Sequence, residues 1–228
     1  HTLLDFVEDT PKSTNIKVTP KLIENITKSN NVVNSLSKIL PVVDNAGLYI
    51  FDLDGTIADT ELLHWEAYNV LLEEEYGFKL TDSDIKRYIG NSEKAIYKMI
   101  ESDYQIKINV TDFLSKRITA YLKLVEQRNL QPFKWVSDFI GEFPNAPILL
   151  LTSQVPEVVD HLLSYWGLDD VIPKKMRISV HDGNISKAEV FADPYAYIEK
   201  SKEDSRIVVF EDSDHVAKLA ASFGYTII

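Results

Sequence analysis

The chain has 228 residues, 45% of them hydrophobic and 26% charged, so we expect a packed globular fold with room for a domain and an insertion. The formal net charge of −11 disfavours nucleic acid and anionic lipid as partners, and the absence of cysteine excludes disulfides and thiolate metal sites. No apolar run approaches the roughly 20 residues of a membrane span, and no signal peptide is recognisable. We therefore expect a cytoplasmic protein with no membrane partner.

Residues 1–46 form a polar block, which we predict to be an N-terminal extension with some helix. Apolar residues recur at three-to-four-residue spacing from Leu22 to Ile26 and again from Val32 to Leu40. A segment of this kind can pack on the main domain as a lead-in helix, or it can bind a partner. The sequence leaves both alternatives open.

Three short apolar runs have the character of strands buried on both faces of a parallel sheet. They are GLYIF at 47–51, PILLL at 147–151 and RIVVF at 206–210, and none alternates between apolar and polar residues. Small or acidic polar residues follow each run, and a helical pattern comes next. This order predicts an α/β fold with a doubly wound parallel sheet, which binds ligands at the carboxyl ends of its strands.

Residues 61–140 interrupt that order with helical patterns alone. Apolar residues recur at helical spacing in four stretches, which are Leu62 to Leu72, Ile85 to Ile89, Ile96 to Ile100 and Phe113 to Val125. Because this stretch separates the first two strands, we predict a separate all-helical cap domain at 61–140. The core domain would then comprise residues 47–60 and 141–228.

Polar side chains follow all three predicted strands. Carboxylates that converge at one edge of a sheet repel one another unless a cation neutralises them. Oxygen ligands without nearby His or Cys favour Mg²⁺. Any one acidic pair could instead be a solvated strand end or a helix cap, but three such ends together favour a functional edge. The residues concerned are Asp52, Asp54, Thr152, Ser153, Glu211 and Asp212.

Several segments resemble signatures of the haloacid dehalogenase-like (HAD) hydrolase superfamily. FDLDGTIADT at 51–60 resembles the first signature, LLLTSQ at 149–154 is similar to the second, and VVFEDSDHVAKLAASFG at 208–224 is similar to the fourth. The inserted helices resemble those of the helical-cap subgroup, which includes β-phosphoglucomutase-like and phosphoglycolate phosphatase-like enzymes. The resemblance covers roughly residues 47–228 and implies a Rossmann-like core.

The resemblance implies a phosphatase that hydrolyses a small phosphorylated metabolite through an aspartyl-phosphate. Asp52 would be the nucleophile, and Asp54 would protonate the leaving oxygen and then activate water. Thr152 would bind the phosphoryl oxygens. The Mg²⁺ cofactor would be held by Asp52, Asp54, Glu211 and Asp212.

The family lysine is the first departure from the pattern. The third signature usually reads Lys-Pro-x-Pro, a string that this chain lacks. The best candidate is Lys187 in ISKAEVF, which precedes Glu211 by about the family interval, although Ala188 and Val190 replace the prolines. A solvated loop charge is the alternative. Val216 is a second departure, because the family often has glycine there.

The resemblance also identifies candidate substrate-binding residues, which are His64, Asn91, Ser92 and Ser153. In β-phosphoglucomutase-like enzymes an arginine directly follows the Gly-x-Ser of the cap loop and grips a second phosphate. Here that place is Glu93, which would repel a second phosphate unless Lys94 compensates. Simple hydrolysis of a small-molecule phosphate ester is therefore favoured over mutase activity.

Other functions remain as alternatives. A sugar phosphomutase is the first, and a non-catalytic binding or regulatory module of a larger protein is the second. Dehalogenase chemistry needs neither Mg²⁺ nor a second aspartate, so Asp54 and the Glu211–Asp212 pair argue against it. The sequence leaves open the substrate, the oligomeric state and the role of residues 1–46.

Overall fold

The computed structural model describes residue 43 and residues 46–89, 91–198 and 206–228. The predicted N-terminal extension lies outside the described residues, except for Val43 and Ala46. The chain forms two compact units. One is Thr60–Leu130, and the other joins the described residues up to Asp59 with Gln131–Ile228.

The larger unit contains a five-stranded parallel sheet in the order β3-β2-β1-β4-β5. Its central strand β1 is fully buried, and Ile50 lies opposite both Leu149 and Val209. The sheet with its flanking helices confirms the predicted α/β fold. Two strands, β3 and β5, are short and only partly buried, and the sequence analysis did not predict them. The strands are β1 Leu48–Phe51, β2 Ile148–Thr152, β3 Arg177–Ser179, β4 Ile207–Phe210 and β5 Thr226–Ile227.

The smaller unit is helical and lies between β1 and β2 in the chain. Its helices are α1 Glu61–Tyr76, α2 Asp82–Tyr88, α3 Glu93–Tyr104 and α4 Val110–Gln127. Helix α1 ends at Gly77, whose φ of 76° suits a left-handed C-terminal residue. The unit has an apolar cluster of its own, made by Trp65, Tyr68, Leu71, Leu72, Leu80, Tyr88, Ile96, Tyr97, Ile100, Ile108 and Phe113.

The helices of the larger unit are α5 Lys134–Glu142, α6 Pro156–Tyr165, α7 Lys187–Ala192 and α8 Asp214–Ser222. Helix α5 packs aromatic side chains on the sheet: Trp135 stacks on Phe210 with ring centroids 5.1 Å apart, and the Phe139 ring lies 5.4 Å from that of Phe51. The helical unit thus ends at Leu130, ten residues before the predicted cap boundary. The difference arises because an amphipathic period does not specify which core the apolar face contacts. None of the helices in the described part of the chain combines the length and apolar character that crossing a bilayer demands.

Candidate active site

The first strand end positions Asp52 directly after β1, where its backbone N–H donates to Phe210 O at 3.0 Å. The chain turns directly after Asp54, because Gly55 has a φ of 74° and its N–H donates to Ala58 O at 2.9 Å. A Cβ at Gly55 would lie 2.4 Å from Asp212 Oδ2. The left-handed backbone and the closeness of the Asp212 side chain therefore favour glycine at this turn.

Lys187 is brought to the site by the start of α7. Ser186 caps this helix: its Oγ accepts from the Glu189 N–H at 3.2 Å, and the Ser186 N–H donates to Glu189 Oε2 at 2.8 Å. The Lys187 ammonium lies 2.6 Å from Asp52 Oδ1 and 2.9 Å from Glu211 Oε2, and all three side chains are largely buried. Lys187 is thus a buried partner of two carboxylates and not a solvated loop charge.

Glu211 and Asp212 follow β4 and have different surroundings. Both oxygens of Glu211 are engaged, because Oε2 accepts from Lys187 and Oε1 accepts from the Ser213 N–H at 3.0 Å. Asp212 accepts a longer hydrogen bond from Thr56 Oγ1 at 3.5 Å. Glu211 is therefore suited to holding Lys187, whereas Asp212 retains capacity for a cation.

The carboxylates of Asp52, Glu211 and Asp212 offer ligand atoms that all lie within 4.8 Å of one another. Burial, together with Glu211 and Asp54, raises the pKa of Asp52 to about 8, although Lys187 acts in the opposite direction. Burial and Glu211 raise the pKa of Asp212 to about 6. Since a single ammonium does not balance this cluster, the donor set fits a hard divalent cation such as Mg²⁺.

The second strand end supplies Thr152 and Ser153. The Thr152 hydroxyl is buried and accepts from the Gln154 N–H at 3.0 Å, whereas Ser153 is exposed. Both line a cavity of about 610 Å³. The same cavity is lined by the carboxylates of the first and third strand ends and by Lys187, so the six polar residues predicted to share one sheet edge do meet around one space. The cavity residues are Asp52, Asp54, Thr152, Ser153, Val180, Gly183, Ile185, Ser186, Lys187, Ala188, Glu211, Asp212, Ser213, His215, Val216 and Leu219.

Two polar residues of this site were missed by the sequence analysis. Thr56 is fully buried beside Asp212, and Gln154 is buried and donates to Asp54 Oδ2 at 3.3 Å. Both lie inside segments that resemble the family signatures, at 51–60 and 149–154, and this position could have identified them as candidates. Their partners are 156 and 100 residues away in the chain, so the contacts themselves are not visible in the sequence.

The other candidate residues belong to the helical unit. Asn91 Nδ2 donates to Tyr88 O at 3.0 Å, and Ser92 caps α3 by accepting from the Ala95 N–H at 3.4 Å. Both side chains therefore have a role at helix ends. The ring of His64 stacks on Tyr121 with centroids 4.5 Å apart.

Arg117 is a functional candidate that the sequence analysis did not consider. It is buried in α4, forms an ion pair with Glu93 and lies with its guanidinium 5.0 Å from the centre of the Tyr68 ring. Its Nη1 is 3.4 Å from His64 Nδ1. Glu93 therefore does not present an uncompensated negative charge, so the argument against a mutase no longer rests on repulsion by Glu93 but on whether Arg117 is available to bind a second phosphate. The signal was available, since Arg117 lies four residues from Phe113 and Tyr121 on the buried face of the helix.

The chain is similar to known proteins both in sequence and in fold. A family model described as haloacid dehalogenase-like hydrolase matches residues 49–224. A phosphorylated carbohydrates phosphatase from Thermotoga maritima is 26% identical over 179 residues, which cover 77% of this chain and 80% of that protein.

Solved structures share the fold. A putative β-phosphoglucomutase from Thermotoga maritima has a TM-score of 0.61 at 24% identity and covers 79% of this chain and 83% of its own. CbbY from Rhodobacter sphaeroides, solved in complex with phosphate, has a TM-score of 0.64 at 17% identity, with coverages of 80% and 84%. At these identities the likeness establishes the fold alone.

Proposed function

The chain belongs to the haloacid dehalogenase-like hydrolase family, whose members include phosphoric monoester hydrolases, and from this premise we propose that it is a Mg²⁺-dependent phosphatase acting through an aspartyl-phosphate. Its substrate would be a small phosphorylated metabolite of the carbohydrate class. The similarity to the Thermotoga maritima phosphatase supports that class. The observation that carries the proposal is the Lys187 ammonium between Asp52 and Glu211.

The first chemical step would form a bond between an Asp52 carboxylate oxygen and phosphorus while the bond from phosphorus to the leaving oxygen breaks. Asp54 would give its proton to that leaving oxygen. The Thr152 hydroxyl already accepts from the Gln154 N–H, so its own hydrogen is available for a phosphoryl oxygen. Lys187 would hold Asp52 in place and balance developing charge.

The second step would return the enzyme to its starting state. Asp54 would remove a proton from water, the water oxygen would attack phosphorus, and the bond to Asp52 would break to release inorganic phosphate. The two aspartates thus have separate roles, one as nucleophile and one as acid and base. Their separation by a single residue at the end of a rigid strand suits this division.

Mg²⁺ would be held by the carboxylates of Asp52 and Asp212. The family resemblance implies the backbone carbonyl of Asp54 as a further ligand. When bound, it supplies positive charge that offsets the repulsion between an anionic nucleophile and an anionic substrate. Glu211, whose two oxygens are both engaged, would act mainly through Lys187. Thr56 would steady Asp212.

The Glu93–Arg117 ion pair supports hydrolysis over mutase activity. A mutase must hold two phosphates, and the resemblance implies that β-phosphoglucomutase-like enzymes hold the second one with an arginine of the cap loop. Here Arg117 is buried and neutralised by Glu93, so the pair offers no net positive charge.

The test measures phosphate release from p-nitrophenyl phosphate with Mg²⁺ and with excess chelator. We expect turnover only with Mg²⁺, and its loss in Asp52→Asn but not in Asp170→Asn, a control that changes an exposed aspartate. A panel of phosphorylated sugars would then define the substrate. No turnover of any ester by wild type would support a binding module instead.

A separate arm tests the mutase alternative. The protein is incubated with β-glucose 1-phosphate and a trace of the bisphosphate, and glucose 6-phosphate and inorganic phosphate are measured together. Isomerisation faster than phosphate release would overturn the proposed hydrolase function.

A further inference from the structure

Gln154 is held firmly between β2 and α6 although no catalytic role has been assigned to it. Its side chain is 6% exposed. Its backbone N–H donates to Thr152 Oγ1 at 3.0 Å, and its carbonyl accepts from Ser179 Oγ at 2.6 Å. The backbone on both sides of the side chain is thus fixed by neighbours from β2 and β3.

The orientation of the Gln154 amide follows from its hydrogen bonds. The Val155 N–H donates to one end of the amide at 3.0 Å, and a backbone N–H can donate only to oxygen, so this end is Oε1. The other end is therefore Nε2, which lies 3.3 Å from Asp54 Oδ2. Gln154 must act as a donor towards Asp54.

This geometry distinguishes the two oxygens of Asp54. Oδ2 accepts a hydrogen bond from Gln154 Nε2, a nitrogen that cannot accept one in return. A proton on Oδ2 would therefore point at another donor. A proton on Oδ2 of a neutral Asp54 carboxyl is therefore disfavoured. The buried, fixed amide maintains this preference without any rearrangement of the site.

We propose that Gln154 is a positioning residue that keeps Asp54 Oδ2 as an acceptor, so that the proton exchanged with the leaving oxygen and with water travels through Oδ1. The inference rests on the proposed function, in which Asp54 is the acid and base. It adds which oxygen carries the proton and which side chain selects it.

The consequence is a dependence on the leaving group. An alkoxide leaving from a sugar phosphate is strongly basic and needs a proton as the bond breaks, whereas p-nitrophenolate is a stable anion that needs none. The ratio kcat/KM covers steps up to the first irreversible one, which here is phosphoryl transfer to Asp52. Misplacing the Asp54 proton should therefore affect kcat/KM for alkyl esters selectively.

The experiment compares kcat/KM of wild type and Gln154→Met on two kinds of ester. One is p-nitrophenyl phosphate, and the other is the fastest alkyl ester among glucose 6-phosphate, fructose 6-phosphate and glycerol 2-phosphate. Methionine keeps the length of glutamine but cannot donate. We expect a loss of about 10²-fold on the alkyl ester and less than about 3-fold on the aryl ester.

Two further variants make the result decisive. Asp54→Asn defines the signature of a missing acid, and Ser179→Ala removes the 2.6 Å hydrogen bond to the Gln154 carbonyl while retaining the amide. Ser179→Ala should not change the ratio between the two esters. If the methionine variant does not fold, as judged by its melting temperature, Gln154→Asn repeats the test with an amide too short to reach Asp54.

The outcomes distinguish the positioning role of Gln154 from the acid role of Asp54 on which it rests. Equal losses on both esters in the Gln154 variant mean a merely structural role and overturn the inference, as does the absence of any loss. If Asp54→Asn itself lacks leaving-group selectivity, the acid role in the proposed function fails instead. Selective loss in both Asp54→Asn and Gln154→Met supports both.

Discussion

Lys187 carries one positive charge that two buried carboxylates share. Replacing it by methionine would leave Asp52 and Glu211 without that charge, so we expect kcat/KM to fall by about 10²–10³-fold, the usual effect of removing a group that stabilises developing charge. Breaking a buried ion pair also destabilises a fold, by about 3–5 kcal/mol. Steady-state kinetics and chemical denaturation of Lys187→Met measure both effects.

Lys218→Met is the matched control for Lys187, because Lys218 is an exposed lysine on α8 of the same unit. It should leave kcat/KM and stability unchanged within error. A Lys187→Met protein as active as this control would contradict the role given to the ammonium.

Gly55 and Gly141 offer a paired test of what glycine does at the site. Gly55→Ala would place a methyl group 2.4 Å from Asp212 Oδ2 and hold an alanine in a left-handed backbone conformation. We therefore expect half-maximal activity to require more Mg²⁺, and the free energy of unfolding to fall by at least about 1 kcal/mol. Gly141→Ala in α5 meets no atom within 4 Å and should gain about 0.5–1 kcal/mol. Thermal unfolding and Mg²⁺ titration of activity distinguish the two, and equal effects would contradict the argument.

Among the elements, α2 depends on one acidic side chain. Asp84 accepts from Thr81 Oγ1 at 2.6 Å, from the Thr81 N–H at 2.9 Å and from Tyr104 OH at 2.6 Å, and these bonds lower its pKa to about 2. They join the start of α2 to the end of α3. Protonating this carboxylate should therefore loosen both helix ends.

The pH dependence has a definite sign. Because the folded pKa of Asp84 is about 2 and the ordinary value is 3.8, its contribution to stability is complete above about pH 4 and is lost as pH falls towards 2. The protection factors of α2 amides, which correct the exchange rate for its intrinsic dependence on pH, should fall over that range in wild type. In Asp84→Asn the protection factors should already be low at pH 5, and Asp82→Asn, which changes an exposed neighbour, should resemble wild type.

The strands that the sequence predicted share one property, which is an unbroken run of apolar residues. Strands β1, β2 and β4 are apolar runs buried along their whole length. Strands β3 and β5 have three and two residues, too few for any period to be recognised. The apolar residues of α5 recur at helical spacing, but this spacing does not indicate whether the helix packs on the sheet or belongs to the helical unit.

The same contrast holds for the site. The strand-end residues could be predicted because parallel strands bring their carboxyl ends to one edge. Lys187 could be proposed only by its distance along the chain from Glu211, since the family prolines are absent. Gln154 and Arg117 escaped notice because their importance depends on partners that are remote in sequence.

At the scale of the whole molecule, the helical unit has an apolar cluster of its own. We therefore expect the fragment Thr60–Leu130 to unfold cooperatively when expressed alone. Ile100→Ala in the fully buried part of the cluster should cost about 2–5 kcal/mol and abolish folding of the fragment, while the exposed Lys98→Ala should not. Circular dichroism during heating measures the transition, and a gradual change without a midpoint would contradict independence.

The strand order has a consequence for the newly made chain. Strand β1 pairs with β2 on one side and with β4 on the other, so one of its edges stays open until residues 207–210 leave the ribosome. At about 5–20 residues per second, translation leaves this apolar edge unpaired for several seconds after β2 has been made. An open, apolar edge is a template for aggregation, so this interval is when a chaperone would have most to protect. The acidic residues after β1 and β4 meet only when that edge closes, and their mutual repulsion therefore does not burden the earlier intermediates.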